Sequence, residues 1–208
     1  MKKTFFLFFF VLINHIAAQS NWKQFKNLSG PKKTWVLFHP FKAKLAFEIS
    51  KDARKIADSI KKTTVLDGDA SGGQVDAFRH AFWMARLHQS IGKAAACSLG
   101  KAHERENYQT YKKKKLEDGI VPDLVSSEMD LYNNNIGLNL VTKRDHISKN
   151  SLIYLVINKI LKGEMKIVKK DKKGNYLNCK GAIISPDSLK GKWKNKKCLV
   201  PSNKIAKQ

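Results

Sequence analysis

The sequence predicts a mainly α protein: an antiparallel bundle of about five helices, followed by a small basic C-terminal β-hairpin or irregular tail. Three observations predict it. Between residues 41 and 161 apolar side chains recur at helical spacing. Short connections bearing Gly or Pro separate those segments, which suits antiparallel neighbours. Beyond residue 162 the helical period is lost and lysine dominates.

The first 18 residues have the plan of a secretory signal peptide. Lys2 and Lys3 form a positive start, Phe5 to Ile13 is apolar, and Ile16-Ala17-Ala18 precedes Gln19. The apolar run is short of the roughly 20 residues that span a bilayer, so the mature chain is expected to carry no transmembrane helix. No cysteine lies near the cleavage site to take a lipid anchor. The expected product is exported, periplasmic or secreted, and starts near Gln19.

A helical domain is expected over residues 19–162. Leu45, Ile49, Ile56 and Ile60 predict a helix over 41–62. The loop Asp67-Gly-Asp-Ala-Ser-Gly-Gly73 ends it. It matches the first half of a calcium loop, but Phe78 stands where the bidentate Glu belongs, so it reads as a turn and helix cap. Further helices are expected over 74–90, 93–111, 126–141 and 148–161, with Gly92, Gly119 and Pro122 as breaks.

Residues 163–208 form the basic appendage, with 13 lysines and three acids. Residues 165–168 and 175–178 alternate around a Gly174 turn and predict a hairpin. The remainder is expected to wrap the helices through Ile183, Ile184, Trp193 and Leu199. Of three cysteines, Cys179 and Cys198 are expected to pair and staple this core-poor segment, while Cys97 reads as a small buried apolar residue.

The formal charge of the whole chain is +23. Loss of the signal peptide removes two lysines and no acid. Such a charge draws a protein to an anionic partner: nucleic acid, anionic lipid or acidic glycan. A solvated lysine-rich surface is the plainer alternative. The aromatic-interleaved basic signatures of common RNA-binding modules are absent.

Three helical segments carry polar residues where core is expected. Asp76, Arg79, His80 and Trp83 form a stripe at helical spacing. His103, Glu104 and Asn107 fall on a second helix, and Asp130, Asn133 and Asn134 on a third, ahead of Gly137. His103-Glu104 lacks the second histidine of a zinc-protease helix, because position 107 is Asn. Three consecutive asparagines at 133–135 are poor interior helix residues and so imply buried partners or a ligand. Buried polar groups are costly unless they bond one another or bind something, so the three helices are expected to share one pocket. Each residue also has a structural reading: a cap for Asp76, an ion pair for Arg79, core for Trp83, a satisfied core histidine for His103.

At these motifs the chain resembles an uncharacterised bacterial domain family with Asp-Ala-x-Arg-His-x-x-Trp, Ala-His-Glu and Met-Asp-x-x-Asn-Asn-x-x-Gly helices. The matching positions are Asp76, Ala77, Arg79, His80 and Trp83, then Ala102, His103 and Glu104, then Met129, Asp130, Asn133, Asn134 and Gly137. Met84 departs from the asparagine expected after the tryptophan. Such domains occur in small exported proteins and at the ends of large toxin-like secreted ones. The resemblance implies a helical domain with a polar pocket and no particular activity.

Two function classes follow. One is an exported hydrolase, metal-assisted, of a phosphodiester or other anionic ester. His80, His103, Glu104 and Asp130 would then be the catalytic set and the ligands of a divalent ion. Asp76, Arg79, Trp83, Asn107, Asn133 and Asn134 would form the surrounding substrate-binding network. The other is a non-catalytic envelope or polyanion-binding module whose polar cluster is structural.

Overall fold

A computed structural model describes residues 23, 25–116, 121–143 and 145–205. The expected signal peptide, residues 1–18, lies outside the described residues. The elements run α1 (Gly30–Phe38), α2 (Pro40–Lys61), α3 (Gln74–Ile91), α4 (Lys93–Lys112), α5 (Leu124–Asn139), α6 (Lys149–Leu161), β1 (Lys166–Val168), α7 (Pro186–Leu189) and β2 (Leu199–Pro201). The protein is mainly helical with one small antiparallel sheet. The five expected helices are α2 to α6, displaced by one to two residues at most of their ends.

The helix α1 was not legible as a separate element. Pro40 separates it from α2, because its ring cannot donate the backbone bond that would continue a helix. His39 before it leaves the helical region, at φ −135° and ψ 50°, as the clash with the proline ring requires. The later boundaries have local causes too. Asp123 Oδ1 accepts the Ser126 N–H at 2.8 Å and caps α5. Ser148 Oγ accepts the Ser151 N–H at 3.1 Å and caps α6.

The axis of the domain is α3, which packs on α2, α4, α5 and α6. Its Ala77, Phe78, Ala81, Phe82, Met84, Ala85 and Leu87 are wholly buried. Each of its two phenylalanines contributes roughly 1.5–3 kcal/mol by leaving water. One apolar cluster joins α3 to α2, α6 and β1, and a second joins it to α1, α2 and α4. Gly137 sets the approach of α5, since a Cβ there would lie 2.1 Å from the Ala81 carbonyl oxygen. Only glycine lets the α5 backbone lie this close to α3, and that approach carries Asp130 and Asn134 to the α3 stripe.

The sheet pairs β1 with β2, Ile167 opposite Val200. The expected partner of β1, residues 175–178, instead makes two isolated bridges, Lys170 with Tyr176 and Leu177 with Ile183. The Asp171–Gly174 turn does form. The sheet position is taken by β2, which adjoins Cys198, and Cys198 is bonded to Cys179 with Cα atoms 4.9 Å apart. The disulfide is the pair expected, and Cys97 is free as expected but only partly buried against the α1–α4 cluster. Trp193 does meet the helices, edge-on to Tyr108 on α4, whereas Ile183 stays exposed. No helix among the described residues is long and apolar enough to cross a membrane.

Candidate functional site

The α3 stripe places Asp76, Arg79 and His80 on one face, and α5 closes over it. Asp76 Oδ2 accepts the Gly72 N–H at 2.8 Å, and its Oδ1 takes Arg79 Nη2 at 2.6 Å. Asp76 therefore ties Gly72, ahead of the helix, to the first turn, while the cap expected of it falls to Asp67, whose Oδ2 accepts the Gln74 N–H at 2.8 Å, and Arg79 pairs with its own helix neighbour. His80 is buried between the helices. Its Nδ1 lies 3.2 Å from Asn134 Oδ1. Asn134 Oδ1 can only accept and the Arg79 Nη2 donor lies beside Nε2, an arrangement that suits the tautomer with its proton on Nδ1.

That Nε2 lies 3.3 Å from Arg79 Nη2, 3.6 Å from Asp76 Oδ1 and 3.4 Å from Asp130 Oδ1. Burial holds the His80 pKa well below its ordinary range, and the Arg79 guanidinium and the neighbouring His103 ring push the same way. The ring is neutral at physiological pH. Asp76, His80 and Asp130 each offer one ligand atom, and these atoms all lie within 4.8 Å of one another. Among the described residues this is the one group of that kind.

Two of the four residues expected to bind a metal, His80 and Asp130, are in the group. Asp76 joins them from the expected network. His103 and Glu104 do not. The His103 ring stands 6.0 Å from that of His80, and its Nδ1 lies 3.5 Å from Glu106 Oε2, one turn along α4. Glu104 is buried and accepts from Asn107 Nδ2 at 3.3 Å, one turn along the same helix. Gly100 leaves the room that Asn134 Nδ2 fills, 3.3 Å from where a Cβ would lie.

Asn133 belongs elsewhere. Its side chain exchanges two bonds with the Lys166 backbone, at 2.9 and 3.0 Å, and so ties β1 to α5. Trp83 is half-buried, with Nε1 donating to Ser50 Oγ at 2.9 Å and its ring edge-on to His103. The Asp67–Ser71 loop is a turn, as expected: Asp69 Oδ1 accepts the Ser71 N–H and its Oδ2 pairs with Lys170.

Arg79, His80, Trp83 and His103 line a cavity of about 750 Å³ between α1, α2 and this face. Such a volume accommodates a small-molecule ligand. Sequence reading missed Arg54 and Ser50 on α2, which also line it, and Glu106, which positions His103. The signals were present: Ser50 and Arg54 are i, i+4, and His103 and Glu106 are i, i+3. Glu106 is held to a pKa of about 2 by its bonds to His103 and to Lys32, which outweigh its partial burial.

A family model for a domain of unknown function, DUF6973, matches residues 33–164. The chain belongs to the DUF6973 family. No curated protein and no solved structure matches it. The DUF6973 match runs from α1 to the residue before Met165, so it contains all three polar motifs and both arginines of the cavity wall. The disulfide-bonded appendage lies outside it.

Proposed function

We propose that the mature chain is an exported, metal-assisted hydrolase of an anionic ester, a phosphodiester being the simplest case. One observation carries the reading: two carboxylates and a neutral imidazole converge behind a cavity wall that bears Arg79 and His103. Two carboxylate oxygens and one imidazole nitrogen suit a borderline divalent ion such as Zn²⁺ or Mn²⁺ better than Mg²⁺ or Ca²⁺, which prefer oxygen alone. The Asn134 bond to Nδ1 fixes the tautomer that leaves Nε2 able to ligate. A divalent ion held by Asp76, His80 and Asp130 would supply Lewis-acid activation.

The remaining roles fall to the protein. Arg79 faces the cavity and would balance the negative charge that develops on the ester. His103, positioned by Glu106, would accept the proton of the attacking water. Export rests on the N-terminal pattern, and the Cys179–Cys198 disulfide suits an oxidising compartment.

Metal analysis of the purified chain tests this, with Zn²⁺ and Mn²⁺ titrations and hydrolysis of bis(p-nitrophenyl) phosphate. Stoichiometric binding that Asp130→Asn abolishes is expected, with turnover that depends on it. Absence of both binding and turnover would sink the proposal. The polyanion-binding alternative has its own support, because Arg79 already supplies a positive charge to Asp76 at 2.6 Å. In that case nucleic acid or anionic vesicles bind in a salt-dependent way through the lysine-rich tail, and the cluster takes no ion.

A further inference from the structure

The joint between α1 and α2 presents apolar side chains to solvent. Pro40 breaks the helix there, and the helix on each side of it turns its own face inward. Trp35 fixes α1: it is buried, and its Nε1 donates to the Ala95 carbonyl on α4 at 3.1 Å. Ala46, Ile49 and Ala53 are buried and fix α2. Those contacts leave the joint pointing outward. Leu37, Phe38 and Phe41 are exposed by 69, 79 and 101%, and Leu45 and Phe47 by 41 and 43%. Scattered exposed apolar side chains are ordinary, but five of them between residues 37 and 47 form a patch. Two exposed lysines, Lys42 and Lys44, lie within it. Among the described residues neither is in an ion pair. Lys32 is not part of this surface charge, because it pairs with Glu106. No acid occurs from Gly30 to Phe47, and the first to follow, Glu48, lies about 10 Å along α2 from Phe41.

We propose that the α1–α2 joint docks on an anionic bilayer surface, with Phe38 and Phe41 entering the acyl boundary and Lys42 and Lys44 meeting the lipid phosphates. A peripheral contact of this kind holds when an apolar insertion and a basic patch act together. Lysine suits that boundary, because its methylene stem lies against apolar groups while its ammonium reaches the head groups. The contact is a surface one, since no described helix is long and apolar enough to span the bilayer. A second copy of the chain fits the patch less well. A two-fold contact would bring Lys42 and Lys44 of both copies together without a counter-charge. A neutral apolar partner would leave the same two ammonium groups unanswered. The docking surface is separate from the lysine-rich tail. It does not rest on the hydrolase reading, because it requires neither metal nor turnover.

The test is cosedimentation of the chain, purified from an exporting host, with vesicles of phosphatidylcholine alone or mixed with phosphatidylglycerol. It is run at low and at high salt, because salt screens the positive charge of the rest of the chain more than it weakens apolar insertion. Tighter binding to the mixed vesicles is expected. Phe38→Ser with Phe41→Ser should weaken it at least about tenfold at both salt concentrations. The melting temperature should hold, since both side chains are exposed. Lys42→Glu with Lys44→Glu should weaken it about tenfold at low salt. Ile183→Ser, at an exposed apolar position on the appendage, should change nothing. Phe41→Trp keeps an apolar ring at the joint, so it should bind as the parent does, and its added emission should shift to the blue on the vesicles. That variant decides the matter even if the double serine variant folds poorly. Binding that survives the loss of both phenylalanines, or an emission that does not move, would overturn the proposal and leave only attraction to the lysine-rich surface. Equal binding to neutral and mixed vesicles would overturn it too, as would a dimer that the double serine variant dissolves in place of any vesicle binding. Vesicle binding without ester turnover removes the hydrolase alone, and turnover without vesicle binding removes the docking surface alone.

Discussion

Two buried ionic clusters in this molecule are built from similar groups and are satisfied very differently. In the first, Asp123 is nearly inaccessible and has an equally buried Lys197 to itself, Nζ to Oδ2 at 2.6 Å. Asn195 Nδ2 and the Ser126 N–H fill its other positions, at 2.9 and 2.8 Å. The ammonium lies 3.8 Å from the centre of the Tyr176 ring. This cluster fastens the appendage to the start of α5. In the second, Asp76 and Asp130 both face the lone pair of one neutral imidazole, and Arg79 stands between them and a cavity. Burial makes any mismatch expensive in both places. The first is closed by one ion pair inside the protein, while the second gathers two carboxylates, an imidazole and the Arg79 guanidinium beside a cavity, the arrangement expected where a cation or reacting group is to be accommodated.

Breaking the first cluster should have the largest effect. Asp123→Ala strands the Lys197 ammonium and removes the α5 cap, and should cost about 3–5 kcal/mol. Chemical denaturation measures it. A loss under about 1 kcal/mol would mean that Lys197 simply swings into water.

Removal of the disulfide comes next. Cys179→Ser with Cys198→Ser opens a link across 19 residues and should cost about 3 kcal/mol. Protease sensitivity should appear first in residues 163–205, because the helical core does not depend on that link. Cleavage that begins in α3 would contradict the division between the two regions.

The third prediction uses pH. His80 is buried neutral, with its folded pKa below the ordinary 6.5. The unfolded chain therefore binds a proton there that the folded chain refuses, and stability falls as pH drops below about 6.5, by up to about 1.4 kcal/mol per pH unit. His80→Gln should flatten that slope in the metal-free protein. Were His80 an imidazolium clamped by two carboxylates, stability would instead rise on acidification. Glu106 has the same sign in a lower window. Its stabilisation is complete above about 4.5 and is lost as pH falls toward 2.

The smallest expected change is the most informative for function. Asp130→Asn keeps the side-chain shape and removes one of two like charges, so stability should shift by less than about 1 kcal/mol. The rise in melting temperature on adding Zn²⁺ or Mn²⁺ should disappear. A destabilisation as large as that of Asp123→Ala would make the second cluster a structural network too.

The sequence by itself determined the helices α2 to α6, because 3.6-residue periodicity and breakers such as Gly92 and Pro122 are local properties. It determined that Asp76, Arg79 and His80 share a face and that the two tail cysteines would pair. Tertiary structure decided what meets across the helices. The approach at Gly137 put Asp130 and Asn134 on His80, and the docking of α4 on α3 brought the His103 ring to 6.0 Å from that of His80. It chose β2 over residues 175–178 as the partner of β1, and it made a cavity from α1 and α2, segments that carry no polar motif. The physical reason is the same in each case. Periodicity fixes which way a side chain leaves its own element, but the partner it meets depends on how separate elements dock, and docking is set by apolar surfaces far from the residues that use it.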